Sequence, residues 1–287
     1  MLAAMSVNLV TEQAVPQAVQ FDRAIELLRG RRIAVLSGAG ISTDSGIPDY
    51  RGSASSHRQP MSWSQFRSDA EYRSRYWAGS QLGWRSFGSA DPNGGHHALV
   101  RLESAGAVAG IVTQNVDGLH SRAGSRHVVD LHGSMDRVRC MSCGQYFSRD
   151  AISDQILSDN PGLHDAAGSL GPDGDVIPGA LVDFVTPSCT VCDGLLRPDI
   201  VFFGEFVPVD RFRLAQAMVG AADVLLVAGS SLTVNSGIRL VEAARRRRLP
   251  IVIVNRGQTR ADQHATVKID GGITPALQRI ADVLLAD

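Results

Sequence analysis

The chain has 287 residues, 44% hydrophobic and 20% charged, with a formal net charge of −1. That length can bury a full core, as one large domain or two unequal ones. The charge balance supplies no field to draw in nucleic acid or an anionic membrane, and no run of about eighteen apolar residues offers a spanning helix.

In chain order, Met1 to Gln20 lacks the basic start and long apolar run of a signal peptide and the arginines of a transit peptide. Residues 1–17 read as a short flexible leader ahead of a cytoplasmic enzyme. From 18 to 29, Phe21, Ala24, Ile25 and Leu28 follow helical spacing, and Gly30 stands where a left-handed residue ends a helix. Continuous apolar runs follow at Ile33–Leu36, Gly110–Thr113, Val128–Leu131, Val224–Ala228 and Ile251–Val254. Strands apolar on both faces belong in a parallel sheet covered on each side. Helical patterns lie between them at Gly94–Ser104, Val209–Val219 and Asn235–Arg247. A last helix is expected with Thr274 as its N-cap and Pro275 in first position. The alternation predicts a doubly wound, Rossmann-like α/β fold. Its large domain would comprise 18–49, 91–133 and 198–287. Residues 50–90, a helical insertion, and 134–197, a metal-binding module, would form a smaller lobe. Arg245–Arg248 end a helix, where cations complement the dipole, and no second basic cluster supports a nucleic-acid contact.

The four cysteines form two pairs, Cys140-x-x-Cys143 and Cys189-x-x-Cys192. Two such pairs close a tetrahedral S4 shell, the arrangement of one structural zinc ion. A redox dithiol needs one pair rather than two, and nothing in the chain argues for an oxidising compartment that would favour disulfides. A closed zinc shell stiffens a module and performs no catalysis, so the chemistry lies elsewhere.

Three strand ends carry polar residues. Ser37-Gly-Ala-Gly40 follows the first strand, and glycines there let backbone N–H groups approach a pyrophosphate. The third glycine of the dinucleotide fingerprint is absent, since Thr43 holds its place, and so is the acidic residue about twenty positions on. A dinucleotide would therefore not be held as in a hydride-transfer dehydrogenase. Arg51, just past the turn, can fold back onto a phosphate. Thr113–His120 and Asp130–Gly133 end two further strands, and ligands of open α/β sheets bind beyond such ends.

Gly38-Ala-Gly-Ile-Ser42, Thr113-Gln-Asn-Val-Asp117, Leu131-His-Gly133, both cysteine pairs, Arg197–Glu205, Gly229-Ser-Ser-Leu232 and Val254-Asn255 occur in order. Together they resemble the sirtuins, NAD-dependent protein lysine deacylases, from about residue 20 onward. Pro48–Arg51, His132–Arg137 and Pro172–Asp175 look most like the class II branch, which includes many bacterial members. The resemblance implies that NAD is consumed: the acyl group of an acylated protein lysine passes to ADP-ribose and nicotinamide is released. His132 would be the general base acting on a ribose hydroxyl. Asn115 and Asp117 would hold nicotinamide and its water, with Ile47 beside the carboxamide and Gln114 at the nicotinamide ribose. Gly38, Ala39, Gly40, Ser42, Asp49, Tyr50, Arg51, Gly229, Ser230 and Ser231 would complete the phosphate and ribose contacts. Asn255, with Arg256 and Gly257, would take the adenine ribose, and Ile273 would touch adenine. Val201, Phe202, Phe203 and Gly204 on one side, and Leu232, Thr233 and Val234 on the other, would flank an acyl-lysine peptide laid in as a strand.

Family members that select acidic acyl chains carry a Tyr-x-x-Arg pair before the Pro-Asn segment. Here the matching places, near Ser80 and Gly83, hold neither, and Tyr72-x-x-Arg75 comes earlier in the chain. Desuccinylation is not expected. Mono-ADP-ribosyl transfer from the same NAD site is the alternative activity. A zinc-ribbon binding module and an ordinary NAD oxidoreductase are the other readings; near-neutral charge opposes the first and the missing ribose carboxylate the second.

Overall fold

The computed structural model describes residues 17–50, 60–163, 175–176 and 183–286; Arg51 and most of the expected leader lie outside them. Gln17–Leu28 (α1) buries Phe21, Ala24, Ile25 and Leu28, the face its spacing predicts. Ile33–Ser37 (β1) follows, wholly buried. Next come Trp63–Ser68 (α2), Ala70–Gly88 (α3), Gly94–Ser104 (α4), Val108–Thr113 (β2), Leu119–Ala123 (α5) and Val128–Asp130 (β3). Gly133–Cys140 (β4), Tyr146–Ser148 (β5), Arg149–Asp159 (α6) and Leu196–Ile200 (β6) lead into Val209–Gly220 (α7) and Val224–Ala228 (β7). Asn235–Arg246 (α8), Ile251–Val254 (β8), Val267–Ile269 (β9) and Ile273–Leu284 (α9) complete the order.

Six strands form one sheet in the order β3-β2-β1-β7-β8-β9. Every pairing within it is parallel. One face packs α1, α4 and α9 around Val35, Leu226 and Val252. The other packs α7 and α8 around Leu36, Leu225 and Ile253. Two apolar faces explain why the strands read as continuous apolar runs. The short edge strand β9 escaped the sequence reading because its three residues, Val-Lys-Ile, alternate with a lysine. The last helix begins at Ile273 behind Gly272, one residue before the expected Thr274 cap.

A smaller antiparallel sheet, β5-β4-β6, carries the cysteines. Its β6 spans residue 198, where the third segment of the large domain was expected to begin. Helices α2 and α3 lean on this sheet through Phe66, Tyr76, Trp77 and Phe87, which share a core with Met135, Val138 and Phe202. Arg149 ties α6 to α3. It is 1% exposed, its guanidinium stands 5.1 Å over Trp84 and 5.7 Å over Trp77, and it donates to Gln81 Oε1 and Ser80 Oγ. Aromatic faces and neutral acceptors offset the burial of a charge here.

His96 on α4 and His120 on α5 lie edge to face, 4.9 Å apart, and His120 Nε2 is 2.8 Å from Ser37 Oγ. Burial lowers both, His96 to about 4 and His120 to about 3. Their folded affinity for protons is below the unfolded one, so the stability they permit is complete above pH ~6.5 and is lost as pH falls towards 4. The denaturation midpoint in urea should therefore decline between pH 7 and 5, and His96→Asn should flatten that slope. A pH-independent midpoint would contradict the assignment.

Candidate functional site

The sheet order reverses between β1 and β7: from β1 the chain runs outward to β2 and β3, then returns on the other side. Carboxyl-end loops splay apart at such a point and leave a crevice. Here it is a cleft of about 1720 Å³, lined by the loops after β1, β2, β3, β7 and β8. The loops after β1 and β7 touch backbone to backbone, with Gly40 N–H donating to the Gly229 carbonyl at 2.8 Å. A Cβ on Gly40 would stand 2.9 Å from Gly229 Cα, and one on Gly229 2.5 Å from the Ile41 nitrogen. These glycines are required first by each other. Gly38 caps the short turn Ala39–Ile41 without a side-chain bond. Within that turn the Gly40 N–H is taken by Gly229 O and the Ile41 N–H by Gly38 O.

Gln114, straight after β2, binds three ways. Its N–H donates to Ser37 O at 3.0 Å, its Oε1 accepts from Ser230 Oγ at 2.5 Å, and its carbonyl lies 2.8 Å from His132 Nδ1. His132 follows β3 and lines the cleft. Its other nitrogen, Nε2, is 2.7 Å from Ser236 Oγ. Burial pushes His132 down to about 4, only partly opposed by the Gln114 carbonyl. The ring is therefore neutral and able to accept a proton at ordinary pH.

Asn115 and Asp117 form the polar floor. Asn115 Nδ2 donates to Ser42 Oγ at 3.0 Å and to Gly38 O at 3.3 Å. Asp117 accepts from Ser42 Oγ at 2.7 Å and from the Leu119 N–H at 2.9 Å. Burial raises its carboxyl above the usual range against these bonds. Asp117 thus holds the first N–H of α5 and lines the cleft at once. Asn93, noticed in the sequence only as part of Pro-Asn, braces the turns after β1 by donating to Ile41 O at 2.7 Å and Ser45 Oγ at 3.0 Å.

Ala39, Ile47, Asp49, Tyr50, Ser231, Asn255, Arg256 and Ile273 all line the same cleft. Gly257 stands outside that lining, and its carbonyl accepts from Asn255 Nδ2 at 3.3 Å. The Asn255 amide also bonds Arg256 O, so its donors are spent on its own turn and Oδ1 is left to meet a ligand.

Val201, Phe202, Phe203 and Gly204, and Leu232, Thr233 and Val234, also line the cleft. Two of these side chains are core rather than contact surface: Leu232 is fully buried at φ +57, and Phe202 sits 4.8 Å from Phe66 in an aromatic cluster. Phe203 is exposed, while its carbonyl already accepts from the Trp63 N–H at 2.9 Å. Arg197 fixes this loop through a two-pronged pair with Glu205, both contacts 2.8 Å, beneath the Trp63 ring. Met61, Tyr76 and Phe87 also line the cleft. No motif marks them in the sequence: Met61 precedes α2, and Tyr76 and Phe87 lie in α3. Tyr72 and Arg75 do not reach the lining.

The cysteines converge at the far end of β4 and β6. All four Sγ atoms lie within 4.8 Å of one another, with Cys140–Cys192 at 3.7 Å and Cys143–Cys189 at 3.8 Å. A disulfide needs about 2.05 Å. Four sulfurs at Zn–S of about 2.3 Å would be separated by roughly 3.8 Å, so the set fits one tetrahedral zinc ion. N–H groups of Cys143 and Ser142 aim at Cys140 Sγ, as they would at a thiolate ligand. Cys140 lies at the opposite end of β4 from His132.

The Sir2 family model matches residues 38–236.

The chain belongs to the Sir2 family.

A Mycobacterium avium relative named NAD-dependent protein deacetylase 1 is 51% identical over 265 residues, covering 91% of this chain and 94% of its own. A Streptomyces coelicolor protein of the same name is 47% identical, covering 94% and 91%. A solved Sir2 structure with a p53 peptide and NAD+ matches with TM-score 0.76 at 31% identity, covering 92% of this sirtuin and 98% of that chain. Sir2 bound to an acetylated peptide matches with TM-score 0.74 at 30% identity.

Since the His132 ring titrates near 4 in the free protein, kcat/KM of this sirtuin should stay flat as pH falls through 6.5, where an ordinary histidine would protonate. A limb at 6.5 removed by His132→Ala would show a solvated ring instead. Cys143→Ser should lower Tm and zinc content together, while replacement of zinc by cobalt should preserve turnover. Loss of turnover in a folded cobalt protein would give the metal a chemical role.

Proposed function

We propose that this sirtuin is an NAD-dependent protein lysine deacylase, transferring the acyl group of an acyl-lysine to ADP-ribose with release of nicotinamide. The observation that carries the reading is a neutral imidazole, His132, beside the amide-and-carboxylate floor of Asn115 and Asp117 in one cleft. Bound NAD supplies an electrophilic ribose carbon and, next to it, a ribose hydroxyl. Asn115 and Asp117 bind the departing nicotinamide and order its water, with Ile47 packed against the carboxamide. His132 is the base on which deprotonation of the ribose hydroxyl ends, gaining a proton at Nε2, and the Gln114 carbonyl stabilises the resulting imidazolium. Ser42 orients both floor residues. The loop glycines with Ser230 and Ser231 take the phosphates and ribose, and Arg51, outside the described residues, supplies a guanidinium for a phosphate. Asn255 and Arg256, with Gly257 and Ile273, take the adenosine end.

The acyl-lysine peptide lies between Val201–Gly204 and Leu232–Val234, recognised there mainly by backbone. Met61, Tyr76 and Phe87 form an apolar acyl wall, which favours neutral acyl chains over acidic ones. Zinc holds the smaller lobe, contributed by 50–90 and 134–197, against the large one. None of the described helices is long and apolar enough to cross a membrane, and the reading carries a cytoplasmic location. Mono-ADP-ribosyl transfer would use the same site, but both relatives described above are named deacetylases.

Mixed with NAD and an acyl-lysine peptide panel, the protein should release nicotinamide, with acetyl or longer neutral acyl groups turned over at least about tenfold faster than succinyl. Labelled ADP-ribose left on protein, with no loss of the acyl group, would favour transferase chemistry. Reduced cofactor would sink both.

A further inference from the structure

We infer that Ser236 is a second catalytic residue of the cleft, relaying a proton from a ribose hydroxyl of the bound nucleotide to Nε2 of His132. The inference rests on the deacylase reading above. A carbonyl oxygen can only accept, so with Gln114 O 2.8 Å from Nδ1 the neutral His132 ring carries its proton there. Nε2 then offers one lone pair, and Ser236 Oγ fills it at 2.7 Å. Both ring nitrogens are engaged by protein atoms before any ligand arrives. A bound hydroxyl thus meets Ser236 before it meets the ring.

Ser236 is suited to stand between them. It is 8% exposed yet lines the cleft. While its O–H points at Nε2, its lone pairs remain able to accept. It lies in the first turn of α8, whose cap, Val234, makes no side-chain bond. The open N–H groups of a 12-residue helix favour negative charge growing on a nearby oxygen. The Gln114 side chain packs against the next residue, Gly237, where a Cβ would stand 2.7 Å from Gln114 Nε2. Ser236 and the Gln114 carbonyl are therefore held in fixed relation to one imidazole.

The transfer balances. Ser236 Oγ takes the ligand hydroxyl's proton as it gives its own to Nε2. The ligand O–H and the Ser236 O–H bonds break, and a new Ser236 O–H and an Nε2–H form. The ligand oxygen keeps the electron pair with which it bonds to the acyl carbon. His132 ends as imidazolium, its Nδ1–H still on Gln114 O, and no further reactant is needed.

The test compares the wild-type full chain with Ser236→Ala, Ser236→Thr, His132→Ala and the Ser236→Ala/His132→Ala double variant. The readouts are NAD affinity by calorimetry, exchange of labelled nicotinamide into NAD, and acyl transfer. Ser236→Ala should lose at least about tenfold in acyl transfer, while NAD affinity changes by no more than a few fold and exchange persists. Ser236→Thr, which keeps the hydroxyl, should recover much of the loss. The double variant should be no slower than His132→Ala, because the two residues act as a unit. Full acyl transfer by Ser236→Ala would overturn the relay. So would a double variant losing the product of both single effects, or a fall in NAD affinity that matches the fall in rate. Failure of the wild type to release nicotinamide would sink the deacylase reading itself, an outcome distinct from these.

Discussion

One residue, Gln114, joins the parts that must face each other. Its backbone continues the sheet from Ser37, its carbonyl holds His132, and its side chain reaches Ser230 beyond β7. Each bond alone contributes about 1 kcal/mol. Together they cross the point where sheet order reverses and bring the ends of β1, β2 and β7 into one geometry. Gly237 leaves room for the amide, so the first turn of α8 is drawn to the same knot. Were Gln114 elsewhere, the imidazole would have no fixed tautomer and the crevice no polar wall.

The metal module acts on this geometry from a distance. Strand β4 ends at Cys140 and begins beside His132, while β6 ends just before Val201. Pairing of β4 with β6 therefore couples the cysteine end to the peptide edge, and the Val201 N–H donates to His132 O at 2.8 Å. Arg197 and Glu205 add a part-buried, two-pronged pair that keeps 201–205 in place. A closed S4 shell with no open coordination position stiffens the ladder without entering the reaction.

Much of this was legible in the sequence. Runs apolar on both faces announced the parallel sheet, and cysteine spacing announced the S4 shell. Polar clusters at Ser37–Gly40, Gln114–Asp117 and His132 marked the carboxyl ends where the cleft forms. Other features depended on tertiary placement. Ser236 looked like an ordinary residue at a helix start; only the fold brings it to His132. Tyr76 and Phe87 fall in the helical insertion with no motif around them, and only packing of α3 brings them to the cleft. Leu232 was expected at a peptide edge, but a left-handed backbone turns its side chain into the core. The small antiparallel sheet was hidden because β4 and β6 lie far apart in the chain.

The central claim is that Gln114 fixes a neutral imidazole with its proton on Nδ1 and its lone pair on Nε2. The nitrogen-15 spectrum of the His132 ring, recorded on ligand-free protein at pH 6, tests it directly. The account predicts a neutral ring with the proton on Nδ1. A cationic ring, or one protonated on Nε2 alone, would contradict it.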